Sequence, residues 1–155
     1  MKVGFVGNQK EMSKQQKDTL IRIMKKLKHT YQNIDFHMGS AAGSDAEAFA
    51  IVVENGLVSR LFYYPSSNPD ENAFDIEDPR DLEKKEIKLL RQKERTIFER
   101  NRSIVDTCDM IIAVPRETLE KRESETWMAI RYSKIQKKRL FTLYPDGKAT
   151  KWPTR

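Results

Sequence analysis

The chain has few of the residues that build cross-links and metal sites: one cysteine, Cys108, and two histidines, His29 and His37, among 155 residues. A single cysteine excludes an internal disulfide and a cysteine-based zinc site. Because Cys108 lies just before the apolar segment at residues 110–114, we interpret it as a buried core thiol rather than a nucleophile. No spacing of histidine, aspartate or glutamate suggests a metal site, and no cofactor is predicted.

Long hydrophobic runs are also missing from the sequence. No apolar stretch approaches the roughly 20 residues that a membrane-spanning helix needs. The first seven residues, MKVGFVG, have the wrong length and pattern for a signal peptide. We therefore expect a cytoplasmic protein without a membrane partner.

Positive charge is in excess, with a formal net charge of +6. Such an excess suits phosphate-bearing partners, either small nucleotides or nucleic acid. Much of it lies in lysine-rich stretches at residues 25–28, 84–88 and 134–138, which are typical of solvated helix faces. Nucleic acid is therefore the less favoured of the two partners.

Short apolar segments alternate with amphipathic ones, which is the pattern of an α/β fold. The predicted strands cover residues 2–7, 34–38, 58–64, 110–114 and 138–144. The first predicted helix follows an N-cap at Ser13, and the second is capped by Ser44 or Asp45. The third begins near residue 82 and the fourth near Ser124. The third of these helices is predicted to cover residues 82–107, with allowance for one break. It follows a polar loop at residues 65–81, whose length is typical of a lid, a binding loop or a locally disordered segment.

This order predicts one Rossmann-like three-layer α/β/α sandwich over residues 1–148, with residues 149–155 as a tail. Right-handed crossovers give a five-stranded, mainly parallel sheet with strand order 3-2-1-4-5. Ligands bind such sheets beyond the carboxyl ends of the strands, where the strand order reverses. The predicted crevice gathers the loops after Gly7 and Pro115, beside the loop at residues 39–45.

Two features near this crevice suggest anion binding. The small-residue loop at 39–45 opens a helix, where glycines admit a close ligand and free N–H groups attract anions. The guanidinium groups of Arg100 and Arg102 match phosphate oxygens, although both residues could instead be surface arginines paired with Glu99 or Asp106.

Three other residues have two interpretations each, and His37 has one. Asp45 is an N-cap or a ribose ligand. Glu125 is a general base or ribose ligand, or else a first-turn acid favoured by the helix dipole. Trp127 stacks on a base or packs in the core. We interpret His37 as a structural histidine.

Five short motifs follow one another along the chain: GFVG at 4–7, HMGSAAGSDAEA at 37–48, RNRSIVDTCD at 100–109, SETW at 124–127 and PDG at 145–147. In these motifs the chain resembles the SLOG superfamily of Rossmann-like nucleotide-binding proteins, and more narrowly its small bacterial and phage members. That superfamily includes the DNA-processing protein A family and the Lonely-guy phosphoribohydrolases. The resemblance implies a nucleotide or nucleotide-derived ligand whose phosphates lie on the glycine loops and helix N-termini.

The residues expected to bind this ligand are Gly7, Asn8, Gln9, Gly39, Ser40, Gly43, Ser44, Arg100, Asn101, Arg102, Pro115, Ser124 and Thr126. The favoured function is a sensor or sequestering protein that binds the ligand without converting it. The alternative is an N-glycosidic hydrolase or transferase in which Glu125 or Asp45 is catalytic. Ala129 stands where the Lonely-guy enzymes have their catalytic glutamate.

Two further expectations concern partners. Single-stranded DNA binding, as in DNA-processing protein A, is a third functional class, although the crevice offers few aromatic residues for base stacking. The helix faces left over after one domain is built suggest a homo-oligomer, most simply a dimer.

Overall fold

The computed structural model describes residues 1–72 and 80–154. The strands in this part of the chain are β1 (Lys2–Val6), β2 (Asp35–Gly39), β3 (Arg60–Tyr64), β4 (Lys88–Arg91), β5 (Met110–Ala113), β6 (Arg139–Leu143) and β7 (Ala149–Trp152). The helices are α1 (Lys14–Tyr31), α2 (Ser44–Glu54), α3 (Arg80–Lys84), α4 (Ile97–Thr107) and α5 (Glu125–Ile135), with a 3₁₀ turn at Pro69–Glu71.

The described strands form one sheet in the order β4-β3-β2-β1-β5-β6-β7. Strands β1 to β6 are parallel to their neighbours, and β7 is antiparallel to β6. The predicted Rossmann-like α/β class is therefore confirmed. The five predicted strands are β1, β2, β3, β5 and β6, and they lie in the predicted relative order.

The sheet has two strands more than predicted, and the first of them replaces part of a predicted helix. The prediction of one helix over residues 82–107 is wrong, because α3 ends at Lys84 and the chain then turns through Glu86, whose φ is 59°. The next residues form β4, which pairs in parallel with β3. The apolar residues Ile87 and Leu90 are three apart, a spacing typical of a helix, although Ile87 precedes β4 and Leu90 lies within it.

The second additional strand is β7, at residues predicted to be tail. The chain reverses at Gly147, whose φ of 95° favours glycine, and residues 149–152 then pair with β6. Because β7 is polar and mostly exposed, its sequence carries no apolar alternation that would predict a strand.

Helices cover the sheet on both faces and create two apolar clusters. Helices α1 and α2 contribute to the larger cluster with residues such as Leu20 and Val52. Helices α4 and α5 contribute to the smaller one, which includes Ile104, Ile130 and Cys108. Cys108 is fully buried, as predicted. No helix within the described residues is long and apolar enough to cross a membrane.

The helix N-termini follow the predictions at two of three positions. Ser13 caps α1 in a capping box with Gln16, and Ser124 caps α5. The expectation that Ser44 or Asp45 caps α2 is wrong. Both predicted residues lie inside the helix. The N-cap of α2 is Gly43, which has no side chain to form a capping hydrogen bond.

Candidate functional site

Loops meet at the carboxyl edge of the sheet, and the loop after β1 is tied to two helix N-termini. Ser44 Oγ accepts a hydrogen bond from the Asn8 backbone N–H and donates one to the Asn8 carbonyl, each at 2.7 Å. Thr126 Oγ1 donates to the Gly7 carbonyl at 2.8 Å. The first turns of α2 and α5 are therefore fixed against the end of β1.

A second set of bonds joins the loops after β2 and β3. Asn72 accepts a hydrogen bond from the Ser40 hydroxyl. Its side-chain amide also accepts from the Ser66 N–H at 2.8 Å and donates to the Ser66 carbonyl at 2.9 Å. Asn72 is absent from the predicted site residues, since only the length of its loop suggested a role.

Arg100 lies at the centre of this edge, near the start of α4. Its side chain packs on Gly39, where an added Cβ would be 2.7 Å from the guanidinium carbon. The residue is only 5% exposed. Its Nε donates to Asn101 Oδ1 at 3.3 Å, whereas its buried Nη1 has no hydrogen-bond partner among the described residues.

A buried guanidinium with an unbonded N–H group costs free energy of folding, because the protein interior solvates a charge less well than water does. Such a group keeps its full positive charge, since arginine does not lose its proton in proteins. Arg100 is therefore a strong donor whose hydrogen-bonding capacity the surrounding chain leaves partly unused.

Two carboxyl groups flank Arg100. Asp45 is buried, and its Oδ2 accepts a hydrogen bond from the Ala41 N–H at 3.0 Å. Burial raises the pKa of Asp45, while the charge of Arg100 opposes this. Burial also raises the pKa of the half-buried Glu125, where Arg100 lowers it and Glu71 adds a smaller increase.

The structure does not bring Arg102 to the same place. Residues two apart on a helix point in different directions, and Arg102 is exposed with its guanidinium 5.4 Å from the ring centre of Tyr132. It lines a groove between α4 and α5, together with Asn101 and Glu125.

The remaining predicted ligand residues mostly have structural partners. The Pro115 carbonyl accepts a hydrogen bond from the Gln16 side chain at 2.9 Å. The Ser124 hydroxyl caps α5. Gly43, with a φ of 75°, packs against the backbone of Lys10, and Gln9 is exposed.

The aromatic residues near the crevice pack inside the protein. Trp127 is 6% exposed and lies in the smaller apolar cluster, and its Nε1 donates to Glu117 at 3.2 Å. Of its two predicted roles, the structure therefore places it in the core. Tyr63 and Tyr64 are also buried.

His37 lies in β2, two residues before Gly39, and its side chain is fully buried. Its Nδ1 is 2.7 Å from the hydroxyl of Tyr64, and its ring stacks on Phe62 with the ring centres 4.2 Å apart. Burial lowers the pKa of His37 to about 4, so the ring is neutral at pH 7. These contacts fit the structural role predicted for it.

Chemically, the edge combines one buried cation with two acids whose pKa values are raised. Within residues 1–72 and 80–154, no three histidine, cysteine, aspartate or glutamate side chains cluster as metal ligands. Comparisons of the chain with protein-family models, with curated proteins and with solved structures find no match.

Proposed function

We propose that this protein binds a nucleotide or a nucleotide-derived ligand at the carboxyl edge of its sheet. Arg100 is the residue that holds the ligand's phosphate. The observation that carries the proposal is the buried Nη1 of Arg100, which has no partner among the described residues. An anion would supply the missing acceptor and would offset the cost of burying the charge.

The surroundings of Arg100 favour a phosphate ester over a simple carboxylate. The edge is the crevice at which parallel α/β sheets bind nucleotides, and the first turns of α2 and α5 both end there. Asp45 and Glu125 add acceptors on either side of the cation, and carboxylates are the usual partners of ribose hydroxyls in such folds.

The test is a thermal-shift screen of the purified protein with nucleoside monophosphates, cyclic nucleotides, NAD and ADP-ribose, followed by titration calorimetry. A ligand at about 100 times its Kd adds about 2.7 kcal/mol, which raises Tm by roughly 5 °C or more in a chain of this size. The matching nucleoside without phosphate should give a much smaller shift.

The matched variants are Arg100→Met and Arg102→Ala. Arg100→Met should abolish the shift, whereas Arg102→Ala should retain it because that side chain lies in the α4–α5 groove. Loss of binding in Arg102→Ala with full binding in Arg100→Met would reject this assignment, as would a screen in which no phosphate compound binds.

The raised pKa of Glu125 favours one second candidate, cleavage of an N-glycosidic bond. A raised pKa makes a carboxyl group a better-matched general acid, and a carboxylate stabilises the positive charge that develops at the sugar. Asp45 is less suited to this role, since it is buried and bonded to the Ala41 N–H.

Chromatography of each ligand mixture separates the two candidates. An intact ligand after prolonged incubation supports a binding protein. Free base that appears with the wild-type protein, and not with Glu125→Gln, would instead assign the hydrolase and make Glu125 the catalytic residue.

A further inference from the structure

A second groove lies at the opposite end of the sheet, between the carboxyl-terminal half of α1 and the face of β6 and β7. Its apolar floor includes Met110, at the start of β5, and Phe141. Four cations surround this floor: Arg22 and Lys26 from α1, Arg139 from β6 and Lys151 from β7.

The described lining of the groove places no acidic residue beside these cations. Within the part of the chain that the structure describes, no carboxylate lines the groove and none of the four cations forms an ion pair. Arg139 instead donates to the hydroxyl of Tyr31 at 3.4 Å, and Lys151 Nζ lies 5.8 Å from the ring centre of Phe141. The groove is therefore electropositive as well as apolar.

The groove is bordered by the free edge of the sheet. Strand β7 is the last in the strand order, so its outer side pairs with no described strand. The Tyr144 N–H bonds to the Lys148 carbonyl at 2.8 Å, which makes these two residues a hydrogen-bonded pair. Because hydrogen-bonded and non-hydrogen-bonded pairs alternate along antiparallel strands, the backbone N–H and carbonyl groups of Ala149 and Lys151 point away from β6.

We propose that this groove and the β7 edge together bind an extended, acidic peptide segment of a partner protein. The peptide backbone pairs with the outward N–H and carbonyl groups of Ala149 and Lys151, as in β-strand addition. Every second side chain of the peptide lies on the α1 side, where its carboxylates complement the positive charges that surround the groove.

The positive charge of Lys151 on the β7 edge also favours one kind of partner. Lysine on an edge strand is a common protection against pairing between two copies of a chain, and Lys151 occupies such a position on β7. An acidic peptide is instead attracted to Lys151. The β7 edge therefore discriminates between a second copy of this chain and an acidic partner.

Nucleic acid fits this groove less well. Single strands are bound by stacking bases on aromatic faces. Here Lys151 covers the ring of Phe141, and the hydroxyl of Tyr31 is bonded to Arg139. The floor also lacks amide side chains that would read base edges, within the described residues.

The test measures binding of a short fluorescein-labelled peptide of alternating glutamate and valine by fluorescence anisotropy. Lys151→Glu and the double variant Lys26→Glu/Arg139→Glu should each weaken binding by about tenfold or more. Lys88→Glu is the matched control, because Lys88 begins the edge strand at the other side of the sheet. This control should change the affinity less than twofold.

A second readout tests the backbone pairing itself. Hydrogen exchange of the Ala149 and Lys151 amides should slow when the peptide is bound. The proposal is overturned if the peptide does not bind, if Lys88→Glu weakens it as much as Lys151→Glu does, or if those two amides remain unprotected. Tighter, Lys151-dependent binding of an oligothymidylate of similar length would assign the groove to nucleic acid instead.

Discussion

Gly39 and Arg100 are in direct contact across the carboxyl edge of the sheet: a Cβ on Gly39 would lie 2.7 Å from the guanidinium carbon and 2.8 Å from Asp45 Oδ2. Only glycine leaves room there for both side chains. The position of the buried cation therefore depends on the last residue of β2.

Gly39→Ala should damage both stability and ligand binding. The added methyl group must displace Arg100 or Asp45, at a cost of about 1–3 kcal/mol in the free energy of unfolding. Urea denaturation measures this loss, and calorimetry measures the fall in phosphate affinity. Gly56→Asn is the control, because no atom of the described residues lies within 4 Å of a Cβ there and asparagine tolerates the φ of 60°. An unaltered stability in Gly39→Ala would contradict the packing described.

Arg100→Met should leave the unligated protein as stable as the wild type, or more stable by about 1–2 kcal/mol. Replacing a buried guanidinium whose Nη1 has no described partner by an apolar side chain of similar length removes a desolvation cost, and Asp45 keeps its hydrogen bond from the Ala41 N–H. Urea denaturation without ligand is the measurement. A loss of more than about 2 kcal/mol would mean that the guanidinium mainly supports the fold.

Glu125→Gln should tighten phosphate binding by about three- to tenfold, because it removes a negative charge close to the cation while the amide oxygen still accepts a hydrogen bond from a ribose hydroxyl. Calorimetric titration of the ligand found in the screen measures the effect. Glu123→Gln is the control, since Glu123 is exposed two residues before Glu125. Equal effects of the two substitutions would indicate a general change in surface charge rather than a local one.

The stability of the protein should fall as pH drops from about 6.5 to about 4. The pKa of His37 is lowered to about 4 in the folded protein, so in this interval the unfolded chain binds the additional proton. The loss amounts to roughly 3 kcal/mol at the lower end of the interval. Above pH 6.5 the contribution of His37 is constant.

Urea denaturation at a series of pH values measures the contribution of His37. His37→Gln should reduce the slope over this interval, whatever its effect on absolute stability. His29→Gln should not, because His29 is exposed near the end of α1. A wild-type slope that His37→Gln leaves unchanged would assign the acid sensitivity to other groups.

Cys108 should be inert towards thiol reagents in the folded protein. It is fully buried, and burial raises its pKa well above the usual value, so neither access nor thiolate is available. Ellman's reagent should release its chromophore only after denaturant is added. Rapid modification of the native protein would show that α4 opens readily from the sheet.

The sequence predicted the parts of the fold that depend on burial. Strands such as β1 and β5 are apolar because helices cover both faces, and amphipathic spacing located α1. Strands β4 and β7 were missed because they lie at the edges of the sheet, where backbone pairing matters more than apolar pattern. Pairing depends on distant residues, which local spacing does not describe.

The candidate site was predictable only as a neighbourhood. The motif around residues 100–102 placed two arginines near the crevice, but only the phase of α4 against β2 decides that Arg100 is buried and Arg102 exposed. Similarly, Ser40 was predicted as a ligand residue, while its bond to Asn72 depends on a loop whose path the sequence does not specify.

The indole of Trp127, whose N–H is bonded to Glu117, gives the carboxyl edge a fluorophore of its own. Indole emission depends on the polarity and hydrogen bonding around the ring, so a movement of the loop after β5 changes its wavelength without any attached dye. The other tryptophan, Trp152, lies at the opposite end of the sheet, on β7 beside Leu140. Single Trp→Phe variants therefore give each end of the molecule a separate optical signal.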